Sequence, residues 1–196
     1  MKENWYILFA LAEKQEQVCN VIRNQGLHAF LPMMEYYRRD RKAIEVKPMF
    51  PGYIFVRTQM QQQDFDQMLF SLGDQKHGLI RQLKREGSTA MRKSEIEFFG
   101  QLLTEDGISK MSYGYLQNKK AVITEGAIQP FQDKIVKVDR HNKIAWLDFE
   151  FMNRQIQSGL WLDQKYESQQ TEENKDSRYK ISEMKIQNQI SKMREV

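Results

Sequence analysis

The sequence predicts an α+β domain followed by a small all-β barrel, and three observations carry that prediction. In the amino-terminal part, short runs of aromatic and β-branched residues alternate with stretches whose apolar residues recur at helical spacing. Beyond about residue 119 the pattern changes to short apolar runs at close intervals, broken by turn-like segments. Between the two lies a stretch with scattered glycines and weak periodicity. With 196 residues, 40% of them hydrophobic and 29% charged, the chain has material for one ordinary domain or two small ones with thin cores.

Taken in order, WYILFA at 5–10 is short, aromatic and β-branched, which predicts a buried strand. From Glu13 to Gln25 the residues Val18, Val21 and Ile22 fall at helical spacing, and Gly26 supplies the stop. HAFLP at 28–32 resumes extended structure. MMEYY and AIEV then flank RRDRK, which predicts a hairpin whose tip holds four cations around Asp40. In KPMFPGYIFVR, Pro51 fixes a backbone angle and Gly52 permits a tight approach ahead of the strand YIFVR. Phe65, Met68, Leu69 and Leu72 predict an amphipathic helix ended by Gly73, and GLIRQL the last strand of the unit. Ser94, with Glu97 three residues on, is a capping-box signature for a third helix carrying Phe98, Phe99, Leu102 and Leu103.

These elements predict a first domain over 1–106 and a linker over 107–118. The barrel, 119–163, draws its strands from AVIT, KIVKV, KIAWLDF, RQI and LWL. From 164 the composition turns polar, which predicts a disordered tail over 164–196; Ile186, Ile190 and Met193 would share one face if its end is a helix.

Several kinds of chemistry lack the residues they need. Cys19 is alone, which excludes an internal disulfide or a cysteine-rich zinc site, and its place on the helical stripe predicts a core residue. His28, His77 and His141 are far apart in sequence, so no metal and no cofactor is expected. No nucleophile elbow, phosphate-cradling loop or dinucleotide fingerprint is present, and no catalytic residue is assigned. No apolar run is long enough for a membrane span, and the first residues turn to charge too soon for a signal peptide, which predicts a cytoplasmic protein without membrane contact.

The formal net charge of +4 permits an anionic partner, and its distribution matters more than its size. No segment is a basic tail; the positive charge sits in local clusters, RRDRK at 38–42, RQLKR at 81–85, and Lys134, Lys137, Arg140, His141 and Lys143. Cations crowded at a turn suit a phosphate backbone, and Arg or His can also meet unpaired bases, although a solvated turn has the same composition. Phe50 and Tyr53 leave two readings open: inward packing, or an exposed aromatic anchor that Trp5, Tyr36 and Tyr37 would extend.

NWYILFA, a helix, FLP and then KPMFPGYIFVR resemble the amino-terminal domain of the NusG family of transcription elongation factors. AVITEGAIQPFQDKIVKVDRHNKIAWLDFEF is similar to the KOW motif, the SH3-like five-stranded barrel that follows that domain. MSYGYL and the DRHNK turn look most like the LoaP branch of the family, the processive antiterminators. The resemblance runs from about residue 4 to 163.

The resemblance implies an antiparallel sheet with flanking helices that binds the clamp helices of the largest catalytic subunit of RNA polymerase through Trp5, Phe50, Pro51 and Tyr53. It further implies suppression of pausing and termination without catalysis. A nascent RNA hairpin would bind the KOW residues Lys134, Lys137, Arg140, His141 and Lys143, with DNA of the transcription bubble as a further contact and a monomer as the working form. A housekeeping NusG whose barrel binds a protein, and a free-standing nucleic-acid module, are the rival readings. Ala127 after Gly126, the delayed Pro130, and Asn142 and Ile144 in place of basic residues depart from the pattern.

Overall fold

The computed structural model describes residues 3–84, 91–118 and 120–163. Its elements are β1 (Asn4–Ala10), α1 (Gln15–Arg23), β2 (His28–Phe30), β3 (Met33–Arg38), β4 (Ala43–Pro48), β5 (Tyr53–Thr58), α2 (Gln62–Ser71), β6 (Leu79–Gln82), α3 (Lys93–Leu102), β7 (Ile108–Ser109), β8 (Ser112–Gln117), β9 (Lys120–Glu125), β10 (Ile135–Asp139), β11 (Ile144–Phe151) and β12 (Arg154–Asp163). The chain divides into two compact units. Of the described residues, one takes in those up to Met33 together with those of Pro48–Ser109; the other takes in Met34–Lys47 and those from Lys110 onward.

In the first unit β1, β2, β5 and β6 form a sheet of order β2-β5-β1-β6, with antiparallel pairing throughout. The unbroken apolar run of β1 follows from burial on both faces, because successive side chains point to opposite sides of a strand. Tyr6 and Leu8 pair with Val56 and Ile54 and face Val18, Cys19, Ile22, Phe65 and Leu69 of α1 and α2. Tyr6 stacks on Phe65 with ring centroids 4.2 Å apart. Burial pushes the Cys19 thiol up to about 12, as suits a core sulfur. The opposite face carries Trp5, Ile7 and Phe55, and there Phe55 and Phe50 meet Phe99 of α3 edge-on at 5.2 Å and 6.2 Å. Burying one such ring contributes about 1.5–3 kcal/mol, so this aromatic layer is a large part of what holds α3 on the sheet.

The second unit holds a five-stranded sheet of order β10-β11-β12-β8-β9, antiparallel except for the parallel pair β12–β8. Its concave side buries Ile123, Ile128, Phe131, Leu147, Phe151, Ile156 and Leu160. The outer strands β9 and β10 leave the barrel half open, and the Gln132 side chain, on a 3-10 turn between them, accepts the Ile123 N–H at 2.7 Å.

The α+β class and the small β barrel stand as expected; several details differ. Residues 112–117, read as linker, are a barrel strand because their backbone completes both β12 and β9. RQI and LWL are two halves of one strand, β12, and the SG between them is no turn. Gly159 is there because a Cβ would lie 2.6 Å from the Glu35 carbonyl oxygen, where backbone approaches backbone. The third helix begins at Lys93, ahead of the expected Ser94 cap, since Glu95 reaches back to accept the Arg92 N–H at 2.8 Å. The hairpin β3–β4, placed by sequence inside the first domain, groups with the barrel. Its buried Glu35 accepts the Met111 N–H at 2.7 Å and an ion pair from Lys110 at 3.1 Å. The tail over 164–196, with its proposed helical face, lies outside the described residues.

Candidate functional site

The FPGY corner is a β-turn. The Tyr53 N–H donates to the Phe50 carbonyl at 3.1 Å, with Pro51 and Gly52 between them. Gly52 sits at φ +86°, where a Cβ would be 2.7 Å from the Ala10 carbonyl oxygen, so the second central position of the turn accepts only glycine without strain. The Gly52 N–H donates to the Gln15 side chain at 2.7 Å, and the Gly52 carbonyl accepts the Ala10 N–H at 2.8 Å. The turn is thereby pinned to both β1 and α1.

This geometry sends Phe50 back under the sheet. Phe50 and Trp5 are each only 4% exposed, and neither is the outward anchor expected of it. The physical reason is α3: Phe99 covers that half of the sheet face, and Trp5 packs edge-on against Phe30 at 5.9 Å. Pro51 remains exposed at the tip and Tyr53 half-buried. What remains partly exposed is a row across one end of the face. Phe9 is paired in register with Tyr53 on one side and with exposed Arg81 on the other, and the Phe9 and Tyr53 rings lie 5.0 Å apart. Leu11, 42% exposed, follows β1 at the same end. Phe9 and Leu11 escaped the sequence reading because alternation assigns them a face without saying where α3 stops.

The second candidate region is the turn between β10 and β11. The Asp139 carboxylate accepts the His141 and Asn142 N–H groups at 2.9 Å each and the Asn142 side-chain amide at 2.7 Å. Those bonds, the Asn142 backbone N–H foremost, hold the Asp139 carboxyl below its usual range. Asp139 thus fixes the loop that presents Arg140, His141 and Lys143, which share an open hollow of about 560 Å³ with Trp161, Leu162 and Asp163. The Lys143 ammonium lies 4.0 Å from the Trp161 ring centroid. Lys137 stands apart over Trp146 at 4.6 Å, and Lys134 lies at the far end of β10, so the five predicted cations divide into a trio and two single residues.

Sequence pattern places Trp161 only in a barrel strand and Tyr37 with the other region. Tyr37 meets Trp161 edge-on with centroids 5.0 Å apart, and the Arg39 guanidinium contacts His141 Nε2. At the hairpin tip Arg38 pairs with Asp40 and Glu45, and Arg41 with Glu45, each at 3.0 to 3.2 Å. RRDRK therefore presents fewer free cations than its composition promises.

Residues 3–99 match the NusG family model, described as transcription termination factor nusG. This chain carries a NusG-family domain. Its FPGY turn and the Phe9–Tyr53 row both lie within the matched segment. A solved structure, "Domain interaction in Thermotoga maritima NusG", is similar over 82% of this chain and 94% of that one, at 16% identity and a TM-score of 0.43. No curated protein matches the chain. Among the described residues no group of three or more His, Cys, Asp or Glu is placed to hold a metal ion, and no helix is long and apolar enough to cross a membrane.

Proposed function

We propose that this chain is a NusG-type transcription elongation factor of the antiterminating, LoaP-like kind, working as a cytoplasmic monomer without catalysis. Its NusG domain docks on the clamp helices of the largest RNA polymerase subunit through Pro51, Tyr53, Phe9 and Leu11. Trp5 and Phe50 support that face from beneath. By binding the elongating conformation better than the paused one, the domain shifts the polymerase population and suppresses pausing and termination. The barrel turn, with Arg140, His141 and Lys143, holds a nascent RNA hairpin, and DNA of the transcription bubble is a further anionic contact. Lys137 and Lys134 lie outside that trio and have smaller parts.

The observation that carries this reading is the pairing of a NusG domain having one open apolar end with a separate unit whose cations are gathered on an ordered turn. Retention of RNA polymerase by the immobilised chain tests the first half. Loss on Pro51→Ser with Tyr53→Ala, in a protein that still melts cooperatively, supports it; unchanged retention refutes the docking face.

A second reading has an observation of its own. Beside the open edge of the half-barrel lies a groove of about 920 Å³ lined by Leu116, Val136 and Lys137 among others, and Val136 is 56% exposed. Apolar exposure there favours a housekeeping factor whose barrel binds a protein partner. RNA binding that weakens with salt and is lost in Lys137→Ala with Arg140→Ala decides for the first reading.

A further inference from the structure

Within the second compact unit, the tip of the β3–β4 hairpin and the barrel turn converge. Three contacts join them: Arg39 with His141, Tyr37 with Trp161, and Lys143 with both rings at 4.0 Å and 5.9 Å. The hairpin is held there firmly. Buried Glu35 receives a hydrogen bond and an ion pair from Met111 and Lys110, and Gly159 lets the two backbones close up. At the tip, Arg38 and Arg41 are neutralised by Asp40 and Glu45, whereas Arg39 and Lys42 are exposed and make no ion pair among the described residues. Arg39 thus adds a guanidinium next to the hollow of Arg140, His141 and Lys143.

We propose that the hairpin tip and the barrel turn form one composite site for an RNA strand carrying an unpaired base, in which Arg39 supplies a phosphate contact that the barrel alone lacks. This rests on the RNA-binding reading of the turn and adds the hairpin as its second wall. A planar guanidinium matches a phosphate in bidentate fashion, and Arg39 and Arg140 flank the hollow from the two elements. The Tyr37–Trp161 pair supplies the aromatic surface. Stacking of a base on an aromatic ring outweighs an exposed cation–π contact, so an incoming base displaces the Lys143 ammonium from Trp161 and leaves it to meet a phosphate. Asp163, at the edge of the hollow and accepting the Trp161 Nε1–H at 3.2 Å, directs the phosphates toward the arginine side by repulsion.

The test uses the full chain and a fluorescein-labelled RNA hairpin with a pyrimidine loop, titrated by anisotropy at several KCl concentrations. Arg39→Ala is expected to weaken binding about three- to tenfold and to reduce the salt slope by about 0.7, the share of one single-strand phosphate. Arg39→Lys is expected to recover most of the salt slope, and Lys93→Ala, an exposed cation on α3, to change nothing. If Arg39→Ala binds as the wild type does while Arg140→Ala with Lys143→Ala binds weakly, the composite site is overturned and the RNA reading stands. If the wild type does not bind the RNA, or binds without salt dependence, both fall and the surface is left to a protein partner.

Discussion

The FPGY corner of the first unit and the basic turn of the second are both reversals at the mouth of a strand, yet they treat their side chains oppositely. At the first, one aromatic ring is buried beneath the sheet, another is half-buried, and only Pro51 stands clear. At the second, Arg140, His141 and Asn142 are all exposed, and an acid, Asp139, spends its hydrogen bonds on the loop itself. Apolar residues at a turn have two stable destinations, core or partner. A cation has essentially one, since burying an unpaired charge is prohibitive. The difference explains why composition indicates the exposure of side chains at the second turn more faithfully than at the first.

The sharpest way to break that contrast is to remove Phe50. Phe50→Ala should lower stability by about 3–5 kcal/mol, as for other buried rings, read from the denaturant midpoint; a loss below about 1 kcal/mol would return Phe50 to the surface. Gly52→Ala comes next. Its positive φ and the 2.7 Å approach to Ala10 O predict a loss of about 1–3 kcal/mol, checked by the same titration, and a neutral result would remove the turn as the feature that aims Tyr53. Tyr53→Ala should be milder for stability, about 1 kcal/mol, while polymerase retention falls more than the melting point does.

In the basic region the expectation reverses. Arg140→Ala with Lys143→Ala should leave stability within about 0.5 kcal/mol but flatten the salt dependence of RNA affinity by about 0.7 per lost contact. A large drop in melting temperature would mean that these cations hold the fold. The smallest effect concerns pH. Because the Asp139 carboxyl is held below its usual range, its contribution is complete above the ordinary carboxylate pKa of about 4 and is lost as pH falls through the lowered value. The Asn142 side-chain amide resonances, which report the bond to Asp139, should therefore move chiefly in strongly acidic solution, and an Asp139→Asn variant should abolish that movement.

Much of the frame was legible. Tyr6, Leu8 and Ala10 of WYILFA, Val18 and Ile22 of the helical stripe, and the set Phe65, Leu69, Leu72 all lie in one buried cluster, as helical and strand alternation require. The reversal at Gly52 followed from residue type alone. The misreadings have a common origin in long-range contact. SG at 158–159 has the composition of a turn, and only its pairing with Ala145 and Ile144 of β11 makes it strand. MSYGYL has the composition of a linker, and only β9 and β12 make it part of the sheet. Tyr37 and Trp161 are 124 positions apart in the chain and carry no local sign of meeting.

By itself, then, the sequence determined most of the strands and helices of the first unit, the reversal at Gly52 and the exposure of the turn at 140–142, because those follow from local sterics and desolvation. Which aromatic rings are covered, which strand each barrel segment joins and which arginine stands beside His141 were decided only by tertiary structure. These depend on where α3 ends on the sheet, on backbone pairing between distant segments and on ion pairs that cancel two of the four cations at the hairpin tip.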